Sequence, residues 1–413
     1  MPVNIASELK KSTIAGVWFV FLTFPLMVIK VDTINNTIEW RWMNMLWVGV
    51  GAFFLSMLWR FMLYRRELGQ NAPEAAPGSK RSRLKALLRD NRVRMPGILA
   101  LALLAVAVPQ LFNLYQTNIL ISAMIYVVLG LGLNIVVGLA GLLDLGYVAF
   151  YAVGAYAYAL LNMHYGLGFW VVLPLGGMLA ALFGILLGFP VLRLRGDYLA
   201  IVTLGFGEII RLVLENWGEF SQGPSGISNI SRPAFFGMDL GVSASTNYMY
   251  YIMLALVVFT IICVNRLKNS RIGRAWLALR EDEIACQAMG IDKVRTKLMA
   301  FALGATWAGF VGVVFAAKTT FVNPASFTFL ESAIILSIVV IGGMGSITGV
   351  ILGAVVMILV PEFLREASEY RMLVFGMTMV LVMVFRPQGL ISTERKRYHI
   401  KGLHGSPGAE HNG

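Results

Sequence analysis

A series of apolar runs, most of them long enough to cross the roughly 30 Å hydrocarbon core of a bilayer, constrains this chain more than any other feature. The chain is 58% hydrophobic, and its charged fraction of 14% is well below the about 25% of a soluble domain. The runs lie at residues 13–30, 43–63, 97–114, 118–138, 141–163, 168–190, 199–217, 248–265, 298–317, 331–345, 347–364 and 371–386. They predict an all-α polytopic integral membrane protein with about ten core transmembrane helices and two extra N-terminal helices.

The net charge of +12 resides in a few loops between these runs, which is typical of cytoplasmic loops and argues against nucleic acid as a partner. Residues 64–95 hold nine basic and three acidic residues, and residues 266–297 hold eight basic residues. With both segments in the cytoplasm, both termini are predicted there too. Residues 80–94 interleave leucines with Lys and Arg, as in a helix lying on anionic membrane lipid or in a solvated linker. The predicted division is an N-terminal two-helix extension (1–63), a basic cytoplasmic linker (64–96), a core (97–391) and a cytoplasmic tail (392–413).

Two glycine-rich runs, 141–163 and 331–345, are predicted to be broken or re-entrant helices. The motif IVVGLAG at 135–141 resembles IVVIGGMG at 338–345. Such interruptions can mark a transport pathway, but small residues that permit close helix packing explain them more simply. The pathway hypothesis rests on Asn134, Gly141, Gly342, Gly343 and Gly345.

Three charged residues within one run, Glu208, Arg211 and Glu215, are spaced to share one face of a helix. Ionisable residues inside membrane helices are rare and usually functional. The face either borders the translocation path or forms an ion pair that fixes the helix against a neighbour. Asp144 and Asp197, each near the start of a run, are interpreted as helix caps.

The sequence contains no phosphate-binding loop, no catalytic Ser/His/Asp or Cys/His set and no metal-ligand spacing. Cys263 and Cys286 are expected to be reduced thiols without a chemical role. The chain is therefore predicted not to be an enzyme and to hold no cofactor. If ATP drives its function, the ATPase with its ATP and Mg²⁺ is another polypeptide.

The stretch from Asp282 to Leu298 is the charged, helix-prone centre of the basic loop 266–297. A chain that is otherwise apolar is expected to present such a segment to a partner. The alternative is an ordinary solvated connector.

Several motifs, in order along residues 97–391, resemble the permeases of the branched-chain amino-acid ABC transporter family, in particular its LivM-type subunits. They are GLLDLGYVAFYAVGAY at 141–156, preceded by Leu133 and Asn134, GDYLAIVTLGFGEIIR at 196–211, GRAWLALREDEIACQAMGID at 273–292, IGGMGS at 341–346 and FRPQGL at 385–390. The two extra N-terminal helices resemble an extension that some LivM-type proteins carry.

The resemblance implies a bacterial inner-membrane importer. Its expected partners are a second, LivH-like permease subunit, two cytoplasmic ATPase subunits and a periplasmic binding protein that delivers leucine, isoleucine or valine. It also implies a coupling helix in the cytoplasmic loop that contacts an ATPase. The residues carried over to this contact are Arg280, Glu281, Asp282, Glu283, Ala285, Ala288, Met289 and Gly290.

Three alternatives remain open on the sequence alone. A permease of the same family could carry urea, small amides or other amino acids. A secondary transporter or channel would work without partners or ATP. A structural or assembly subunit of the membrane would have no pathway.

Overall fold

The computed structural model describes residues 105–191, 194, 196–233, 241–363 and 389–391, together with short pieces and single positions elsewhere. The chain divides into two compact units, residues 1–101 and 102–413. The predicted runs 43–63 and 371–386, the basic linker and the tail lie outside the described residues, apart from single positions. Of the runs 13–30 and 97–114, the structure describes only residues 13, 29, 30 and 105–114.

In the first unit, the described residues at and after the end of the run 13–30 include two antiparallel strands. The strands β1 (Ile29–Asp32) and β2 (Thr37–Trp40) pair with Ile29 opposite Trp40 and Asp32 opposite Thr37. β-Branched residues such as Val31 and Ile38 favour extended backbone, and apolar runs of membrane-spanning length give no indication of such short strands.

The described part of the second unit is almost entirely helical. Its helices are α1 (Leu114–Leu133), which continues as a π-helix (Asn134–Leu139), α2 (Val148–Tyr165), α3 (Phe169–Val191), α4 (Asp197–Asn216), α5 (Gly218–Ser221), α6 (Val242–Lys268), α7 (Arg271–Glu281), α8 (Glu283–Ala288), α9 (Lys293–Thr319), α10 (Phe329–Gly342) and α11 (Ile347–Phe363). Short 3-10 turns at Gly223–Ser225 and Pro324–Ser326 flank a two-stranded sheet of β3 (Ile227–Ser228) and β4 (Phe321–Val322).

Within the described residues, five helical segments are long and apolar enough to span a membrane. They are Leu114–Leu139, Phe169–Val191, Ser243–Lys268, Lys293–Thr319 and Pro324–Gly342, and α11 adds a shorter apolar helix. The prediction of an all-α multi-pass membrane protein is confirmed.

Helix α9 lies at the centre of the second unit and packs against α1, α2 and α3. Glycines let these backbones approach closely. A Cβ on Gly154 of α2 would lie 2.2 Å from the carbonyl oxygen of Gly309 on α9, and a Cβ on Gly309 would lie 2.5 Å from the carbonyl oxygen of Gly176 on α3. Backbone contact replaces side-chain interdigitation here, as is common where no hydrophobic effect drives helices together.

The predicted run 141–163 is broken, as expected, because its first seven residues are not helical and α2 begins only at Val148. The amides of this irregular stretch find side-chain acceptors: Gly146 N donates to Asp144 Oδ1 at 2.9 Å, Leu145 N to Thr203 Oγ1 at 3.0 Å, and Val148 N to Ser332 Oγ at 3.0 Å. Irregular backbone at membrane depth requires such partners.

The two predicted aspartate caps are wrong in detail. Asp144 does not cap α2, whose N-cap is Tyr147, but accepts a bond from the amide two residues ahead. Asp197 is the first residue of α4, and Gly196 is its N-cap. Both differences arise because the helices begin at positions that the surrounding packing determines.

The second glycine-rich interruption separates α10 from α11. Helix α10 ends at Gly342, and Gly343 and Gly345 adopt positive φ angles of 112° and 81°. A short C-terminal segment pairs with this turn, since Leu390 N donates to Ile341 O at 2.8 Å and Ile391 N to Gly342 O at 3.2 Å. Only glycine tolerates these φ values without strain.

Candidate functional site

The basic loop 266–297 folds into two short helices, α7 and α8, between the long helices α6 and α9. Each of α7, α8 and α9 begins with a side-chain cap of the expected type. Ser270 accepts from Gly273 N, Asp282 from Ile284 N and Ala285 N, and Asp292 from Val294 N and Arg295 N. The helix-prone segment expected from the sequence is therefore divided into separate capped helices.

Helix α7 is fixed to the start of α9 by a buried tryptophan. Trp276 has no exposed surface, and its Nε1 donates to the carbonyl oxygen of Thr296 at 2.8 Å. Gly273 closes the turn from α6, because a Cβ there would lie 2.3 Å from Leu267 O. These contacts hold α7 firmly against the membrane helices.

Helix α8 is tied to α9 by an ion pair between Glu283 and Lys297. Lys297 Nζ lies 2.7 Å from Glu283 Oε1, and the lysine side chain is only 1% exposed. Apart from this ion pair, the ammonium has no hydrogen-bond partner among the described residues. Lys297 is therefore not part of an exposed or solvated segment, as the sequence predicts for Asp282 to Leu298, but a buried lysine that is paired within the chain.

The outward face of α8 carries exposed apolar side chains. Ile284 is 68% exposed and Met289 is 83% exposed, although Cys286 between them is buried. Gly290, which follows the helix, has a φ of 80°, and a Cβ there would meet nothing within 4 Å. Exposed apolar side chains on a rigid polar segment are typical of a docking surface.

The structure separates the predicted coupling residues into two groups. Ala285, Ala288, Met289 and Gly290 are exposed on α8 or directly after it. Three charged residues that were carried over to the ATPase contact have partners within the chain instead. Arg280 Nη1 donates to Gly138 O at 2.6 Å, Asp282 caps α8, and Glu283 pairs with Lys297. Glu281 is exposed. The cap by Asp282 is a local contact of a common N-cap residue type, whereas the partners of Arg280 and Glu283 lie on other helices and leave no local sequence signal.

Four of the predicted pathway residues come together where the two interruptions meet. Asn134 is fully buried, and its Oδ1 accepts from Gly345 N at 2.8 Å. Gly342 and Gly343 are buried in the same turn, whereas Gly141 is exposed beside Arg280. The two similar glycine motifs are thus in direct contact, which agrees with close packing and leaves the pathway role as a prediction.

Glu208, Arg211 and Glu215 form the predicted charged face of α4, away from this turn. Arg211 Nε lies 2.8 Å from Glu208 Oε2, and its Nη1 lies 2.7 Å from Glu215 Oε2. The three side chains remain 24% to 38% exposed. Both ion pairs lie within one helix, so they do not fix α4 against a neighbour.

Beside these charges, α4 presents a partly exposed apolar surface. Tyr198, Ile201, Ile209 and Leu212 are all at least 47% exposed. Gly205 lies on this helix, and a Cβ there would meet nothing within 4 Å. Although α4 is not among the five segments apolar enough to span a membrane by composition, its partly exposed charges are of the kind that face water or another protein rather than lipid.

Comparison with known proteins gives a consistent result. A family model described as the permease component of the branched-chain amino acid transport system matches residues 115–383. The high-affinity branched-chain amino acid transport system permease protein LivM of Salmonella typhimurium is 44% identical, with 97% of each chain covered, and LivM of Escherichia coli matches equally. The permease protein LivH of the same system in Escherichia coli is 24% identical over 64% of this chain and 91% of its own length. No solved structure matches the chain.

Proposed function

This chain belongs to the family of branched-chain amino acid transport permeases, and from that premise we propose that it is the LivM-type permease subunit of an ATP-binding cassette importer. The importer carries leucine, isoleucine or valine across the inner membrane. A periplasmic binding protein delivers the substrate, a second, LivH-like permease completes the pathway, and two ATPase subunits provide the energy.

The docking surface of α8 supports this proposal most directly. It places Ile284 and Met289 in an exposed position on a helix that Glu283 and Lys297 hold to the membrane-spanning α9. A partner that grips these apolar side chains can move α8, and through it α9, without a loose loop absorbing the motion. The partner in this arrangement is an ATPase subunit, and the end of the bundle that carries α8 faces the cytoplasm.

The charged face of α4 borders the pathway or the second permease. Its arginine pairs with two glutamates on the same helix, so the face carries both signs of charge and can meet both charged groups of a zwitterion. The surrounding exposed side chains are apolar, which suits substrates with aliphatic side chains. In this mechanism, closure of the ATPase pair moves α8. The membrane helices then switch from an inward-facing to an outward-facing arrangement, and the binding protein releases its substrate into the pathway.

Reconstitution tests the proposal. The chain is purified with and without its two ATPases, second permease and binding protein, and leucine uptake into proteoliposomes is measured with and without ATP. Uptake that needs every component and ATP is the expected result. Uptake by this chain alone would overturn the proposal in favour of a secondary transporter or channel. Urea and small amides offered in place of leucine test the substrate class.

Cross-linking tests the docking surface independently of transport. In a background with Cys263 and Cys286 replaced, Met289→Cys is expected to form a cross-link to an ATPase subunit. Leu330→Cys on α10 is the matched control, because Leu330 is also 62% exposed but lies at the far end of its helix from the Gly343 turn. Equal cross-linking at both positions, or none at Met289→Cys, would contradict the proposed contact.

A further inference from the structure

We infer that Arg280 and Lys268 are positioning residues that tie two glycine-rich helix interruptions to the basic loop 266–297, which we call the coupling loop. One interruption follows the π-helix and the other follows α10, and both then move with the coupling loop. The inference rests on the proposed function, because it assigns the route by which motion of α8 reaches the membrane interior. Both cations belong to the loop 266–297: Lys268 is the last residue of α6, and Arg280 lies near the end of α7.

Arg280 holds the first interruption. The chain leaves the π-helix after Leu139, and the last carbonyls of any helix lack amide partners within that helix. Arg280 Nη1 supplies a charged donor to one of them, Gly138 O, at 2.6 Å. Arg280 also packs closely against Gly141, since a Cβ on Gly141 would lie 2.7 Å from Arg280 Cγ. α7 cannot shift here without moving the interruption or breaking the bond.

Lys268 holds the second interruption in the same way. Its Nζ donates to Gly345 O at 2.7 Å, in the turn between α10 and α11. The amide of the same residue, Gly345 N, donates to Asn134 Oδ1 at 2.8 Å. Both polar backbone atoms of Gly345 are therefore occupied, one by the coupling loop and one by the first interruption.

The two interruptions pack with no free space between them. A Cβ on Gly138 would lie 1.9 Å from Asn134 Oδ1 and 2.6 Å from Gly345 N. Close-packed elements of this kind shift between discrete arrangements rather than deforming gradually. A displacement applied at either cation is thus passed to both interruptions together.

The loop that carries the cations is stiff enough to transmit such a displacement. Trp276 binds α7 to Thr296 at the start of α9, and the ion pair from Glu283 binds α8 to the following residue of α9, Lys297. The exposed surface of α8 is therefore connected to Gly138 and Gly345 through packed helices and short polar contacts. Hydrogen bonds from charged donors are the strong ones among such contacts.

The experiment compares Arg280→Met and Lys268→Met in the complete transporter, reconstituted in proteoliposomes. The measured quantity is the number of leucine molecules imported per ATP hydrolysed. Both variants are expected to assemble and hydrolyse ATP, while this ratio falls by about tenfold or more, as for the loss of one hydrogen bond from a charged donor. Arg280→Lys and Lys268→Arg, which keep a charged donor, are expected to recover much of the ratio.

Arg274→Met is the matched control, because Arg274 lies on the same helix but donates to Asn269 O rather than to an interruption. It is expected to leave the ratio unchanged. An equal fall in the ratio of leucine imported to ATP hydrolysed for Arg274→Met would show that loss of any positive charge from α7 lowers this ratio. That result would overturn the inference. So would Met variants that lower the amount of complex but keep the wild-type ratio. A wild-type transporter without ATP-dependent uptake would instead refute the proposed function itself.

A second readout does not depend on transport. Met344, in the turn beside Gly345, is 43% exposed, so the thiol of Met344→Cys can be labelled in a background without other cysteines. Its labelling rate is expected to differ between the nucleotide-free transporter and the transporter trapped with ATP and vanadate. Adding Lys268→Met is expected to abolish that difference. A difference that persists with Lys268→Met would refute the role of this lysine.

Discussion

Substitution of Gly290 separates two explanations for a glycine at the end of α8. The first is local. Ile291 N donates to Cys286 O at 3.0 Å and Gly290 N to Gln287 O at 3.1 Å, which is the hydrogen-bond pattern of a Schellman cap with Gly290 in the left-handed position. The second is that a groove of the ATPase closes over the residue and leaves no room for a side chain.

The two explanations predict different orders of activity. A left-handed conformation costs an ordinary L-residue about 1–2 kcal/mol, whereas asparagine tolerates it better. None of the residues that the structure describes lies within 4 Å of a Cβ at this position, so they add no steric cost. If only the cap matters, Gly290→Asn keeps more activity than Gly290→Ala. If a partner covers the residue, activity falls with side-chain size, from glycine to alanine, asparagine and leucine.

We expect the order set by size. The assay is ATP-dependent leucine uptake, normalised to the amount of assembled transporter and accompanied by thermal unfolding of the detergent-solubilised complex. Gly290→Asn should unfold close to the wild-type temperature yet transport less than Gly290→Ala. Gly166, with a φ of 61° at the end of α2 and open space around it, is the matched control, and its variants should still co-purify with the ATPases. Greater uptake by Gly290→Asn than by Gly290→Ala would refute the coupling role of this glycine.

Three further predictions concern the folded core. Glu283→Gln should destabilise the protein by about 3–5 kcal/mol because it leaves the buried ammonium of Lys297 without its ion-pair partner. Adding Lys297→Met should restore most of the loss in a chemical unfolding assay, and additive losses would argue against the pair. Gly154→Leu should prevent accumulation of folded protein, because its Cβ alone would lie 2.2 Å from Gly309 O. Gly205→Leu is the control and should fold normally, because no described residue lies within 4 Å of a Cβ there. Size-exclusion chromatography in detergent measures both outcomes. Asp144→Ala should cost about 1–3 kcal/mol by leaving Gly146 N without an acceptor, while Asp144→Asn, which keeps an acceptor oxygen, should cost less. Equal costs for the two variants would contradict the role of Asp144 as the acceptor for Gly146 N.

Much of the membrane architecture follows from the sequence because lipid imposes a single strong rule. Each spanning segment must satisfy its own backbone hydrogen bonds, so apolar runs of sufficient length become helices. This rule placed α1, α3, α6 and α9 close to their observed positions. The glycine cluster at the start of the run 141–163 correctly indicated a break, whereas the run 331–345 is a continuous helix up to Gly342 and its glycines form the turn that follows.

The candidate site was only partly predictable. Spacing alone placed Glu208, Arg211 and Glu215 on one face of α4, since neighbours three or four residues apart meet on any helix. Resemblance to a known family directed attention to Arg280 through Gly290. Neither source indicated that Lys297 is buried against Glu283, because a lysine at the start of a membrane helix has the same sequence pattern whether it is solvated or paired.

The sequence by itself determined the class of the protein, the positions of the long apolar helices among the described residues, and the charged, helix-prone character of the loop 266–297. These properties depend on composition and on contacts between near neighbours in the chain. Only the tertiary structure decided that Arg280 reaches Gly138, that Lys268 reaches Gly345, and that Asn134 joins the two interruptions. Each of those bonds joins residues on different helices. Their formation depends on how closely glycine-lined backbones pack, and no local pattern in the chain encodes that distance.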